Sequence, residues 1–307
     1  MEDVSFSQQV LADLRAAGYR PRAWGELVVT SWRQSQATAR HQPRLVRDWR
    51  LLATLLCVLP LVVTARRCQR LGSMAAVRHG WPLAAMTMAQ LGDIYVHLGL
   101  HRQLTGQHHA SLGPAMTLTA LRGWVGGWLL TRLVQDQPLS DGECAGALVA
   151  ILMTDIVDGP LARRTSRASA LGRYLDGEAD VLAWTALTLT QTRQGQVPRW
   201  FLGIFALRWG LPMLVGFGRT FAQSNPVIVA PTGLGRTAGA AHVALALLGL
   251  VAARQAHQST ARLWQRRRNQ LAVVTAGLFG AATWQHLARF SGAHGTSPPP
   301  EKWGVRL

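Results

Sequence analysis

The chain of 307 residues carries 32 lysines and arginines against 15 aspartates and glutamates, a formal charge of +17, yet 49% of its residues are hydrophobic. So basic a chain meets either nucleic acid or an anionic membrane surface. No zinc-ligand spacing or RNA-binding string occurs, whereas several apolar runs reach the length of a membrane span, so lipid is expected as the partner and nucleic acid is not. Cys57, Cys68 and Cys144 give no disulfide framework, and the polar first fifty residues predict no cleavable signal peptide.

Residues 1–50 read as a basic, cytosolic helical arm. Phe6, Val10, Leu11 and Leu14 recur at helical spacing, Gly18 and Pro21 interrupt them, and the stretch from Trp24 to Trp32 predicts a second short helix. Arg40, Arg44, Arg47 and Arg50 then lead into the first apolar run, so the arm is expected to rest on anionic headgroups. Residues 51–112 hold two apolar runs. The first, 51–64, is short for a span; the second, 81–100, is long enough but carries Asp93 and His97. A hairpin through the bilayer would leave Arg66, Arg67, Arg70 and Arg78 outside, against the positive-inside rule, so interfacial or partly inserted helices are expected. Asp93, His97 and His101 repeat every four residues, with His108 and His109 beyond. That spacing allows an extra metal site on one helix face, although a polar stripe facing headgroups or water is the plainer reading.

Residues 113–290 contain six apolar helices: one from Gly113, then 143–159, 174–192, 200–218, 237–253 and 271–287. Trp124, Trp128, Trp184, Trp200 and Trp284 suit an aromatic belt. The expected fold is therefore all-α, a polytopic membrane helix bundle with a six-helix catalytic core and an N-terminal basic helical extension. A disordered tail, 291–307, is expected after it. Arg163, Arg164, Arg167 and Arg173 crowd the loop after the second span and place it in the cytoplasm by the positive-inside rule; Arg262 to Arg268, between the fifth and sixth spans, pull the other way.

The chemistry concentrates in DIVDGPLARRTSRASALGRYLDGEAD, Asp155 to Asp180. Asp155 and Asp158 are three residues apart, Asp176 and Asp180 four apart, so each pair shares one helix face. Two helices would deliver four carboxylates to one place at a membrane boundary, where uncompensated charge is costly. Hard oxygen donors of this kind suit two Mg2+ or Mn2+ ions, and paired ions suit phosphoryl chemistry. Gly159 removes a side chain beside Asp158, Ala162 stays small on the same face, Arg163 offers a planar fork to phosphate, and Gly172 permits a tight turn or close crossing. Arg122, one turn inside an apolar helix, needs a partner that either the acids or a donor phosphate would supply.

Asp155, Asp158, Gly159, Ala162, Arg163, Gly172, Asp176 and Asp180, at these spacings, fill all eight positions of a signature. The string resembles that of the CDP-alcohol phosphotransferase (CDP-alcohol phosphatidyltransferase) family, integral membrane phospholipid synthases. Thr119 and Arg122 match that family's first-helix pattern, with Met116 in place of its usual Asn. The GLGRT string, Gly233 to Thr237, resembles its Gly-Lys-x-Lys-Thr loop at Arg236 and Thr237, and Arg208 stands where glycerol-phosphate-using members carry an Arg-Glu pair. The resemblance implies a CDP-alcohol donor, CDP-diacylglycerol in the first place, bordered by Gly159, Ala162, Arg163, Gly172, Thr119 and Arg122. It implies metal ligation by Asp155, Asp158, Asp176 and Asp180, with Asp180 also the base for the acceptor hydroxyl. Arg208, Arg219, Arg236 and Thr237 would bind an anionic alcohol acceptor such as a polyol phosphate. CMP release, a homodimer and a bacterial inner membrane location are implied likewise. An aminoalcohol transferase using diacylglycerol as acceptor, an intramembrane divalent-metal transporter and an inactive scaffold are the competing expectations; the scaffold would have lost an aspartate, and none is lost.

Overall fold

The structure, a computed structural model, describes residues 12–71, 73–101, 111–165, 169–223, 232–255 and 260–292. Among these, no strand occurs. The long helices are α1 (Pro21–His41), α2 (Pro43–Leu71), α3 (Ser73–Val96), α4 (Gly113–Val134), α5 (Asp141–Arg164), α6 (Ala170–Arg193), α7 (Phe201–Gln223), α8 (Gly233–Arg254) and α9 (Ala261–Gly292). The expected tail, His108, His109 and Arg167 lie outside the described residues.

Local chemistry sets several of these boundaries. Ser140 caps α5 in a reciprocal box: Glu143 N–H donates to the Ser140 hydroxyl at 3.2 Å, and the Ser140 N–H donates to the Glu143 carboxylate at 2.8 Å. Ser169 caps α6 by accepting from Gly172 N–H, and Thr232 caps α8 by accepting from Gly235 N–H. Gly172 thus sits in the capped first turn of α6 rather than in a turn before it.

The six core helices, α4 to α9, fall where the hydropathy pattern puts them. One apolar cluster centres on α5, α6, α7, α8 and α9, through Leu148, Ile151, Leu187, Phe201, Leu245 and Phe279. A second joins α2, α3, α4 and the start of α6, through Leu56, Ile94, Met116 and Leu171. α4 crosses α6 closely: a Cβ on Gly126 would stand 2.8 Å from backbone atoms of Ala183.

Among the described residues, five helices are long and apolar enough to cross a membrane: α5 and α8 over their full lengths, α2 over Pro43–Arg66, α7 over Phe201–Ala222 and α9 over Ala261–Arg289. The molecule is a polytopic all-α bundle. The first apolar run, too short at 51–64, gains turns at both ends, so the arm expected to end at residue 50 gives its last eight residues to α2. α3 packs along α2. The Arg262 to Arg268 cluster is not a loop but the first turns of α9, whose 32 residues reach about 48 Å, well beyond a hydrocarbon core of about 30 Å. Arg268 donates there to the carbonyl of Gly195 at 2.7 Å.

Candidate active site

α5 ends and α6 begins at the same face of the bundle, and α4 begins there too. This brings Asp155 and Asp158, from the last turns of α5, against Asp176 and Asp180 from the first turns of α6. Between them lies the guanidinium of Arg122, from α4, with no exposed surface. Its Nη1 donates to Asp155 at 3.0 Å and lies 3.1 Å from Asp158 Oδ2; its Nη2 donates to Asp176. Its Nε lies 3.0 Å from Asp180 Oδ1, but off the hydrogen-bonding angle, so both atoms are buried without a hydrogen-bond partner. Thr119, one turn before Arg122, donates its hydroxyl to Asp158 Oδ2 at 2.9 Å. Of the two partners left open for Arg122, the acids are the one it meets. Thr119 touches an acid as well.

The four carboxylates are not equivalent. The side chain of Asp158 is 7% exposed, whereas those of Asp155 and Asp176 are 45% and 48% exposed. One buried wall and an open mouth result. One guanidinium faces four carboxylates, leaving excess negative charge in a partly dry setting. Ligand atoms of Asp155, Asp158 and Asp176 lie within 4.8 Å of one another, and Asp180 offers an unpartnered oxygen beside them. An all-carboxylate set with excess charge and an orphaned buried oxygen fits a hard divalent cation. Gly159 and Ala162 lie on the same turns of α5, and Arg163 is exposed at its end, its guanidinium 3.4 Å from where a Gly159 Cβ would be.

The residues expected to bind the acceptor are less gathered. Arg208, in α7, donates from Nη1 to His286 Nδ1 of α9 at 3.3 Å, and its Nη2 lies 3.5 Å from where a Cβ on Gly235 would be. That puts it beside the first turn of α8, which carries Arg236 and Thr237. Both of these are exposed, and the Thr237 hydroxyl caps back onto the carbonyl of Gly233. Arg219 lies eleven residues beyond Arg208 and has other contacts. Only Arg208 and the α8 turn are brought together. His286, a buried partner of Arg208, was missed by sequence reasoning; it carries no motif.

Asp93, His97 and His101 do not form one ligand set. Asp93 pairs with His97 at 3.1 Å and accepts from the Tyr174 hydroxyl at 3.2 Å. His101 turns away, bonding through Nδ1 to Ser169 Oγ and through Nε2 to the carbonyl of Ser111. Next to this, α3, α4 and α6 enclose a mainly apolar cavity of about 250 Å³ that touches the acidic centre through Thr119.

A polytopic helical bundle with four carboxylates gathered at the facing ends of two consecutive helices defines a membrane protein built around an acidic centre. The family model of the CDP-alcohol phosphatidyltransferases matches residues 114–279, and the chain belongs to that family of transferases. It is similar to the cardiolipin synthase (CMP-forming) of Streptomyces coelicolor (strain ATCC BAA-471 / A3(2) / M145), at 33% identity over 102 residues. The aligned stretch is 33% of this chain and 47% of that protein, so the chain spans about half the length of its relative. No solved structure matches the chain.

Proposed function

We propose that the protein transfers a phosphatidyl, or similarly substituted phospho, group from a CDP-alcohol to an alcohol acceptor and releases CMP. CDP-diacylglycerol is the favoured donor and a polyol phosphate the favoured acceptor. The observation that supports this most is the convergence of Asp155, Asp158, Asp176 and Asp180 on one point at an open mouth, inside the complete family signature. The name of the Streptomyces relative, a CMP-forming synthase, agrees with it.

In this reading the four aspartates would hold Mg2+ or Mn2+, two ions in all, which would supply positive charge for the donor pyrophosphate and the departing CMP. Thr119 keeps the Asp158 carboxylate oriented, and Arg122 holds the acids together from behind. Gly159 and Ala162 leave room for the nucleotide along α5, Gly172 closes the α6 cap, and Arg163 reaches the phosphates from the rim. The acceptor oxygen forms a bond to the lipid-side phosphorus while the bond from that phosphorus to the CMP oxygen breaks. Asp180 takes the hydroxyl proton through its unpartnered Oδ1; it needs to accept the proton only as the new bond forms. Arg208, with the α8 turn bearing Arg236 and Thr237 and with Arg219 further along α7, supplies positive charge for an anionic acceptor. The centre faces the cytoplasm of a bacterial inner membrane, and the protein pairs as a homodimer; these points belong to the proposal as well.

The test is CMP release from CDP-diacylglycerol with Mg2+ or Mn2+ across a panel of alcohols, run beside Asp176→Asn. Release with one acceptor, lost in the variant, supports the reading and names the product. No release and no metal-dependent CMP binding would sink it.

A further inference from the structure

α1 belongs to no part of the matched family region, and its placement is unusual. Its two ends are pinned and its middle is bare. Before its first turn, the Tyr19 hydroxyl donates to the carbonyl of Phe221, and the Tyr19 and Trp24 rings pack edge-on against the Phe221 ring, near the end of α7. Towards its last turns, the Ser35 hydroxyl donates to the carbonyl of Val96 at 2.6 Å, Gly99 N–H donates back to it, and Trp32 packs on Tyr95. A single residue, Gln42, then separates α1 from α2, a span-length helix.

These anchors fix the orientation. The end of α7, the end of α3 and the start of α2 lie at the face of the bundle where α6 begins. A helix of 21 residues, about 31 Å long, held at both ends to points on one membrane face must run along that face. The two sides of α1 differ accordingly. Trp24, Val28 and Trp32 fall within one turn-face of the buried Ser35, and are 40%, 59% and 43% exposed in the protein alone. Arg22, Arg33 and Arg40 fall on the opposite side. This apolar side, packed on the bundle through Trp24, Trp32 and Ser35 and otherwise exposed, therefore points to the plane from which the spans descend, where tryptophan is favoured. At the elbow, Arg40, Arg44, Arg47 and Arg50 are all exposed at the head of a span.

We propose that α1 is an interfacial strap: its Trp24–Val28–Trp32 side is immersed at the headgroup–acyl boundary, and the four elbow arginines grip anionic lipid headgroups. The partner is the bilayer surface itself.

The test is independent of enzymatic activity. In a full-length background with Cys57, Cys68 and Cys144 replaced, V28C and R33C are each spin-labelled and reconstituted in nanodiscs of phosphatidylcholine, with or without about 30% phosphatidylserine. The V28C label is expected to be severalfold more accessible to oxygen, and severalfold less to a water-soluble nickel chelate, than the R33C label. Phosphatidylserine should deepen V28C, and changing Arg40, Arg44, Arg47 and Arg50 together to Gln should abolish that shift. Equal nickel accessibility at the two positions would overturn the strap, and no response to phosphatidylserine would overturn the arginine grip.

Discussion

Arg122→Met removes the cation at the centre of the four carboxylates while keeping the volume and flexibility of an apolar side chain. The cost can be worked pair by pair. Asp158 is nearly buried, and stripping a buried carboxylate of its partner costs about 3–5 kcal/mol. Asp155 and Asp176 are almost half exposed, so solvent screens them, and Asp180 makes no hydrogen bond to the guanidinium, so each of the three adds about 0–1 kcal/mol. Without divalent ions the loss should be about 5 kcal/mol, which for a chain of this size lowers the unfolding midpoint by about 8 °C. The assay is thermal unfolding in detergent micelles, followed by intrinsic fluorescence with a chelator and then with Mn2+. In the variant, Mn2+ should recover much of the loss, because a ligand of the folded state stabilises by mass action and an unopposed carboxylate cluster binds it more tightly. The wild type should gain less. Equal midpoints under chelator, or equal gains from Mn2+, would refute Arg122 as the counterion of the centre.

Three further outcomes are expected. Asp180→Asn should abolish turnover yet retain metal-dependent CMP binding in equilibrium titration, whereas Arg208→Ala should raise the acceptor KM more than the donor KM. Gly126→Ala would place a methyl 2.8 Å from the Ala183 backbone and should destabilise by about 1–3 kcal/mol, while Gly146→Ala, with open space around it, should be neutral or slightly stabilising; paired denaturation midpoints read both. In the turn after α3, the hydrogen bond to Asp93 outweighs burial and raises the His97 imidazole above its ordinary value. Its contribution to stability is therefore full below about pH 6.5 and is lost as pH rises through the raised value, and Asp93→Asn should flatten that dependence in midpoints measured from acid to mildly alkaline pH.

The core and its acids were legible for a simple reason. Apolar runs announce helices, although two of the six expected spans, α4 and α6, are not apolar enough to cross a membrane by themselves, and carboxylates three and four residues apart on a helix share its face. What spacing cannot carry is contact across helices. Arg122 could be seen to need a partner, but its contact with all four acids depends on α4 lying against α6 at Gly126, which no periodicity reveals. His286 escaped notice because its only signal is its position opposite Arg208. The extent of α2 was hidden by its arginines: Arg44, Arg47 and Arg50 look like a soluble arm, yet belong to the same helix as the apolar run. Asp93, His97 and His101 were legible as a stripe; the turn after His97 sends His101 to Ser169 and Ser111 instead.

The ion-pair centre also has a consequence for how the chain enters its membrane. α4, with Arg122, and α6, with Asp176 and Asp180, are not among the helices apolar enough to cross a membrane, whereas α5 between them is, although it carries Asp155 and Asp158. Each alone would bring an unpaired guanidinium or two unpaired carboxylates toward hydrocarbon, and segments of that kind partition poorly. Together with α5, the guanidinium meets carboxylates from both acidic helices, which lowers that cost although negative charge stays in excess. Three consecutive helices therefore form a single unit of insertion: a nascent chain halted before Asp176 leaves Arg122 with half of its acids, and α4 can settle at full depth only once α6 has arrived.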